Sequence, residues 1–287
     1  MERFRIAVIG LGLIGGSMAY ALRGFQDAEI IGCDTDAATR EAAYKSRAVD
    51  AVYADAAQAI SGADLVILCI YPDAIPKLVT EAAAAFKPGA VLTDVSGVKT
   101  SVAERIAACL PEGVDYVGGH PMAGKEVEGF ANASPELFWM TGFIVCPLPS
   151  SQPENVKLIL EMAHYIGATR IAVDTPQEHD SIIAYTSDLM HVAAAALCLD
   201  FHPGMNRAYT AGAFRDCTRI ARINPELWCE LFLENRTNTL YEIDRLEKSL
   251  SRLRQAIEEQ DAPALRALLQ QVQENKIEMN GREPAQG

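Results

Sequence analysis

At 287 residues the chain is long enough for two domains with separate cores. Its formal net charge of −13 speaks against a nucleic-acid partner, because binding a phosphate backbone needs a basic face. The seven cysteines are scattered without a CxxC pair, and no metal constellation is evident. No apolar run reaches the length of a bilayer span and no signal-peptide pattern opens the chain, so a cytoplasmic protein without a membrane partner is expected.

The first apolar run, residues 5–9, reads as a buried strand and leads into Gly10-Leu11-Gly12-Leu13-Ile14-Gly15 and then a helical pattern. A GxGxxG turn between strand and helix is a dinucleotide-binding signal. Gly10 allows the tight turn, Gly12 lets the backbone approach a pyrophosphate, and Gly15 permits close helix packing. The helix N-terminus then offers free N–H groups at Leu13 and Ile14 to the phosphates. The second strand, 29–33, ends at Asp34. A carboxylate there suits a ribose 2′-OH and repels a 2′-phosphate, so NAD is expected rather than NADP.

Further strands are predicted at 65–70, 90–93, 116–118, 142–146 and 169–173, with alanine-rich helical segments between the earlier ones. That alternation predicts a doubly wound parallel sheet of Rossmann type over residues 1–172. The strand at 116–118 runs into His120-Pro121-Met122-Ala123-Gly124-Lys125-Glu126. A histidine at the carboxyl end of such a strand can take a proton from a substrate hydroxyl near neutral pH, or can simply cap the strand.

Residues 173–287 read as helix almost throughout, and the last residues, 280–287, read as a disordered tail. Asp180, Ala184, Ser187 and His191 share one helical face among apolar neighbours, so they are expected to be satisfied in the core or to line a cavity. Arg215, Arg219 and Arg222, at i, i+4 and i+7, form a cationic face suited to a substrate with more than one carboxylate, although a solvated stripe has the same spacing. Ile243, Leu246, Leu250, Leu253 and Ile257 repeat at heptad-like spacing, which fits a helix packed in a bundle or on a partner subunit.

The segments GLGLIGGS, TDVSGVK (93–99), GGHPMAGKE (118–126), EHD (178–180), AFRDCTRIA and NPELW (213–228) run in order along the chain. With them the sequence resembles the prephenate dehydrogenases, a family that includes arogenate and cyclohexadienyl dehydrogenases. The resemblance implies an NAD-binding domain followed by an all-α dimerisation domain, and thus a homodimer. It also implies oxidative decarboxylation of prephenate to 4-hydroxyphenylpyruvate in tyrosine biosynthesis, with arogenate as the alternative substrate.

By the same resemblance His120 draws the proton from the ring hydroxyl, Arg219 binds a substrate carboxylate, and His191 matches a second site histidine. Glu126, Arg215 and Asp180 match an ion-pair network that gates the site, with Asp180 reaching it from the other subunit. Two departures stand out. Where the family often reads D-x-G-S-V-K, this chain has Ser96-Gly97, so either Ser96 supports His120 from the shifted position or a water takes its place. The segment ending at His191 has Met190 where the family has proline. A β-hydroxyacid dehydrogenase would need a lysine in the second domain, and residues 174–235 contain none. A non-catalytic NAD-binding regulator would need neither His120 nor the arginines.

Overall fold

A computed structural model describes residues 3–281 of the chain. Eight strands form one sheet: β1 (Arg5–Ile9), β2 (Glu29–Cys33), β3 (Ala51–Tyr53), β4 (Leu65–Leu68), β5 (Val91–Asp94), β6 (Asp115–Met122), β7 (Gly142–Pro147) and β8 (Arg170–Val173). Their spatial order is β3-β2-β1-β4-β5-β6-β7-β8. Every neighbouring pair is parallel except β6 and β7, where His120 lies opposite Ile144. The strands at the centre read as unbroken apolar runs because both faces are covered. Residue alternation divides their side chains between two cores.

Ile6 and Val8 pack with Met18 and Leu22, from α1 (Leu13–Ala21) and its end, and with Ile159 and Met162 of the later helix Pro153–Tyr165. Ala7 and Ile9 face the opposite core. There they meet Ile60, Ile75, Val79, Val102 and Ile106. The helices that supply these residues are, after α2 (Ala37–Lys45), α3 (Ala56–Ile60), α4 (Ala74–Glu81) and α5 (Thr100–Ala107); Pro153–Tyr165 is α6. Strand β3 was not expected. Its three residues are partly exposed at the sheet edge, too short a run to leave a hydrophobic signature.

From α7 (Pro176–Ile183) onward every described element is helical: α8 (Leu189–Leu199), α9 (Gly212–Thr218), α10 (Pro225–Glu234), α11 (Arg236–Glu258) and α12 (Ala262–Gly281). A π-helical turn, Ala184–Asp188, joins α7 to α8. The segment Pro176–Leu199 has a mean hydropathy of 1.6 over its most apolar stretch and is long and apolar enough to cross a membrane, which the reading of apolar runs did not anticipate. It also carries buried His179, Asp180 and Asp188, all bonded to the rest of the chain. Asn280 and Gly281 continue α12 instead of opening a disordered tail; the rest of that tail lies outside the described residues.

Candidate active site

The strand order reverses between β1 and β4, which leaves a crevice at the carboxyl edge of the sheet. Gly10 closes β1 with a φ of +89°, and a side chain there would collide with the Cys69 carbonyl. Gly15 is tighter still, because its Cβ would overlap the Gly10 carbonyl oxygen. At Gly12 nothing lies within 4 Å of the added Cβ. The turn is therefore closed behind and open in front. Gly12 caps α1, so the first N–H groups, at Leu13 and Ile14, have no partner within the helix. Asp34 Oδ2 accepts from the Leu11 N–H at 2.8 Å and Oδ1 from the Asp36 N–H at 2.9 Å, which locks the carboxylate beside the turn. Arg40 stands close by, but its guanidinium donates to the carbonyls of Asp34 and Thr35. This open glycine cradle, with a carboxylate held beside it, fits a dinucleotide.

Farther along the same edge, β6 runs past the end of β5 and carries His120 over Asp94: a Cβ on Gly119 would stand 3.0 Å from the Asp94 carbonyl. His120 Nδ1 lies 2.8 Å from His179 Nε2, and His179 Nδ1 lies 2.7 Å from Asp180 Oδ1. The Asp180 carboxylate also accepts the N–H groups of Lys99 and Thr100, each at 2.8 Å. It thereby caps α5 from a helix about eighty positions away in sequence. Beneath this chain Lys99 is fully buried. Its ammonium meets Asp94 Oδ2 and the Ser96 carbonyl at 2.7 Å, and Asp94 Oδ1 accepts from the Tyr116 hydroxyl at 2.7 Å.

The electrostatics follow from this packing. Burial, helped by His179 and Lys99, pushes the His120 imidazole well below the ordinary histidine range. Burial also lowers His179, against the opposing effect of its hydrogen bond to the Asp180 carboxylate. For Asp180, burial alone would raise the carboxyl, but the hydrogen bonds from His179 and Thr100 outweigh it and hold the group below the usual value. The resting state is therefore two neutral imidazoles on one carboxylate.

Two expectations change here. Ser96 does not hydrogen-bond His120; its buried hydroxyl has no partner among the described residues, and His120 Nδ1 pairs with His179 instead. Leu231 of α10 lies 3.4 Å from where a side chain at position 97 would begin, so its methyl groups pack where the family often carries serine. Asp180 is not part of a gate with Glu126 and Arg215. It is 3% exposed and its carboxylate bonds within its own chain to His179 and to the N–H groups that open α5.

The rim of the crevice is built separately. Glu126, in the loop after β6, pairs with Arg219. Both influence His191, whose ring stacks on Trp228 at a centroid distance of 3.5 Å. Burial lowers the His191 imidazole, and its Nδ1 sits 3.0 Å from the Ser187 carbonyl. Asn224 bridges Tyr71 and Glu128 alongside.

The three-arginine face does not form. Helix α9 stops at Thr218, Arg219 starts a 3-10 turn, and Arg222 leaves helical geometry with ψ of +75°, so the helical spacing is lost. Arg215 is exposed and makes no ion pair with Glu126. The shared face from Asp180 to His191 is likewise broken by the π-helical turn: Asp180 points to Lys99 and His191 to Trp228. His179, Lys99 and Tyr116 were missed as site residues. The first two lie within the quoted EHD and TDVSGVK segments, which was the available signal.

Two family models match the chain. "Prephenate dehydrogenase, nucleotide-binding domain" covers residues 18–172, and "Prephenate dehydrogenase, dimerization domain" covers residues 175–271. A cyclohexadienyl dehydrogenase from Zymomonas mobilis is 34% identical over 91% of this chain and 90% of its own length. A prephenate dehydrogenase from Bacillus subtilis is 30% identical over 91% of this chain and 72% of its own. Among solved structures, a prephenate dehydrogenase from A. aeolicus, in complex with hydroxyphenyl propionate and NAD+, superposes with a TM-score of 0.86 at 26% identity. It covers 97% of this chain and 99% of its own.

Proposed function

The chain belongs to the prephenate dehydrogenase family, and we propose that it oxidises and decarboxylates prephenate to 4-hydroxyphenylpyruvate with NAD. The observation that carries this reading is His120: a neutral imidazole at the carboxyl edge of the sheet, on the same edge as the open glycine cradle. Gly10, Gly12, Leu13, Ile14, Gly15 and Asp34 would hold the dinucleotide, whose nicotinamide supplies the hydride acceptor when bound. His120 takes the proton of the ring hydroxyl as the hydride leaves the same carbon. Arg219, released from Glu126, takes a substrate carboxylate, with His191 beside it. Loss of carbon dioxide leaves an aromatic ring, so a weak base and good alignment suffice.

In this reading residues 1–172 bind the nucleotide and residues 173–287 complete the substrate site and pair two subunits. The unpaired cysteines of the described chain suit a reducing cytoplasm. A dual cyclohexadienyl dehydrogenase, which also accepts arogenate, is the second reading, supported by the Zymomonas relative. Prephenate and arogenate differ only in a keto or amino group on the side chain. Initial rates with each substrate, measured with NAD and with NADP, test all of this. The proposal expects turnover of prephenate with NAD well ahead of NADP. Comparable rates with arogenate would support the second reading, and no reduction of NAD with either substrate would leave a nucleotide-binding regulator.

A further inference from the structure

We propose that His179 and Asp180 are positioning residues that fix the tautomer of His120, so that Nε2 is its proton-accepting nitrogen. The inference rests on the reading of His120 as the base and adds the device that makes it one. Hydrogen-bond logic runs in one direction along the chain. An ionised Asp180 only accepts, so the His179 nitrogen 2.7 Å from it, Nδ1, must carry the hydrogen. A neutral His179 then has a lone pair on Nε2. Across 2.8 Å that lone pair requires His120 to donate from Nδ1. His120 is left with a bare Nε2, turned away from the only partner its ring has among the described residues.

The surroundings reinforce this order. Lys99 N–H and Thr100 N–H both donate to Asp180 and keep it ionised, while the Lys99 ammonium is absorbed by Asp94 and the Ser96 carbonyl. Tyr116 spends its hydroxyl hydrogen on Asp94. Among the described residues no other donor is directed at His179 Nε2. When the substrate hydroxyl gives up its proton, the O–H bond breaks and an Nε2–H bond forms on His120. The imidazolium keeps its Nδ1–H on His179, and no proton travels to Asp180. A serine–histidine–aspartate triad uses its carboxylate in the same way, with one imidazole fewer.

The test is a two-bond proton–nitrogen correlation spectrum of the full chain labelled with ¹⁵N-histidine, with resonances assigned through His120→Asn and His179→Gln. The expected wild-type spectrum has both His120 and His179 protonated on Nδ1. In Asp180→Asn the amide can donate to His179 Nδ1, which would reverse both tautomers and cover Nε2 of His120. That variant should lose kcat by roughly 10²–10⁴-fold, with KM for prephenate nearly unchanged. Should Asp180→Asn fail to fold, His179→Gln and His179→Leu decide. The glutamine oxygen can still accept from His120, so it should recover at least about tenfold of the kcat lost in the leucine variant. A wild-type His120 protonated on Nε2, or equal kcat in the glutamine and leucine variants, would overturn the inference. Near-wild-type kcat in His120→Asn with the wild-type tautomers intact would instead overturn only the reading of His120 as the base.

Discussion

A histidine packed beside a buried ammonium is hard to protonate, and His120 has both burial and Lys99 acting on it. Since the charged form is the disfavoured one, the neutral base persists as pH falls past the ordinary histidine range and is lost only below it. The acid limb of kcat/KM should therefore lie well under the value for a free imidazole. A limb at or above that value would count against His120. Replacing it, as in His120→Asn, should cost two to four orders of magnitude in kcat, about the range for a lost general base, while nucleotide affinity stays put in a direct titration. In the proposed reading Arg219 serves binding instead. Its side chain is 64% exposed, so Arg219→Ala should sit at the low end for a truncated charge pair, about 2 kcal/mol, read as a rise of roughly 30-fold in KM with kcat little changed. Arg219→Lys should recover only part, since a point charge cannot reproduce a bidentate fork. An unaltered KM in Arg219→Ala would place the carboxylate elsewhere.

Among the elements, the π-helical turn Ala184–Asp188 does the most to shape the site, and it was the least legible. The strand–glycine–helix unit announced itself because β1, the turn and α1 each obey a local rule. One extra residue in a helical turn obeys none: the hydrophobic period on either side survives, and only the packing of Asp180 on α5 and of His191 on Trp228 reveals the changed face. The broken arginine stripe failed for a similar reason, since the end of α9 at Thr218 carries neither glycine nor proline as a stop signal. The turn closes with Asp188, 2% exposed, whose carboxyl burial drives from the ordinary aspartate value of 3.8 up to about 6, against donation from Asn235 and Thr239. A raised carboxyl favours the neutral form in the fold. Its contribution is therefore present at low pH and lost as pH rises through about 6. Above that, ionised Asp188 costs up to roughly 3 kcal/mol. Asp188→Asn, which keeps an acceptor for Asn235, should thus raise the melting temperature at pH 8 by several degrees and much less at pH 5. An equal gain at both would exclude this origin.

For the whole molecule the helical half is conspicuously unfinished. Leu197 and Leu199 of α8, Leu250 and Ile257 of α11, and Leu269 and Val272 of α12 are each more than half exposed. The heptad-like stripe on α11 contributes two of the six. Apolar area of that extent is normally covered by a partner, and the match of residues 175–271 to a dimerization domain points to a second copy. Sedimentation at micromolar concentration should give a dimer, and Leu250→Glu with Ile257→Glu should shift it toward monomer; a wild-type monomer with full activity would remove the proposal. One consequence concerns the order in which the protein fails. Asp180 stands on α7 of the helical half yet completes the first turn of α5 in the sheet half, and only this docking gives His120 its partner. If His120 is the base proposed above, competence for proton transfer is conditional on tertiary assembly, while the glycine cradle depends on contacts within the sheet half. Gentle denaturation that loosens α7 would silence turnover while the nucleotide is still held, a conformational fuse that blows before the scaffold does.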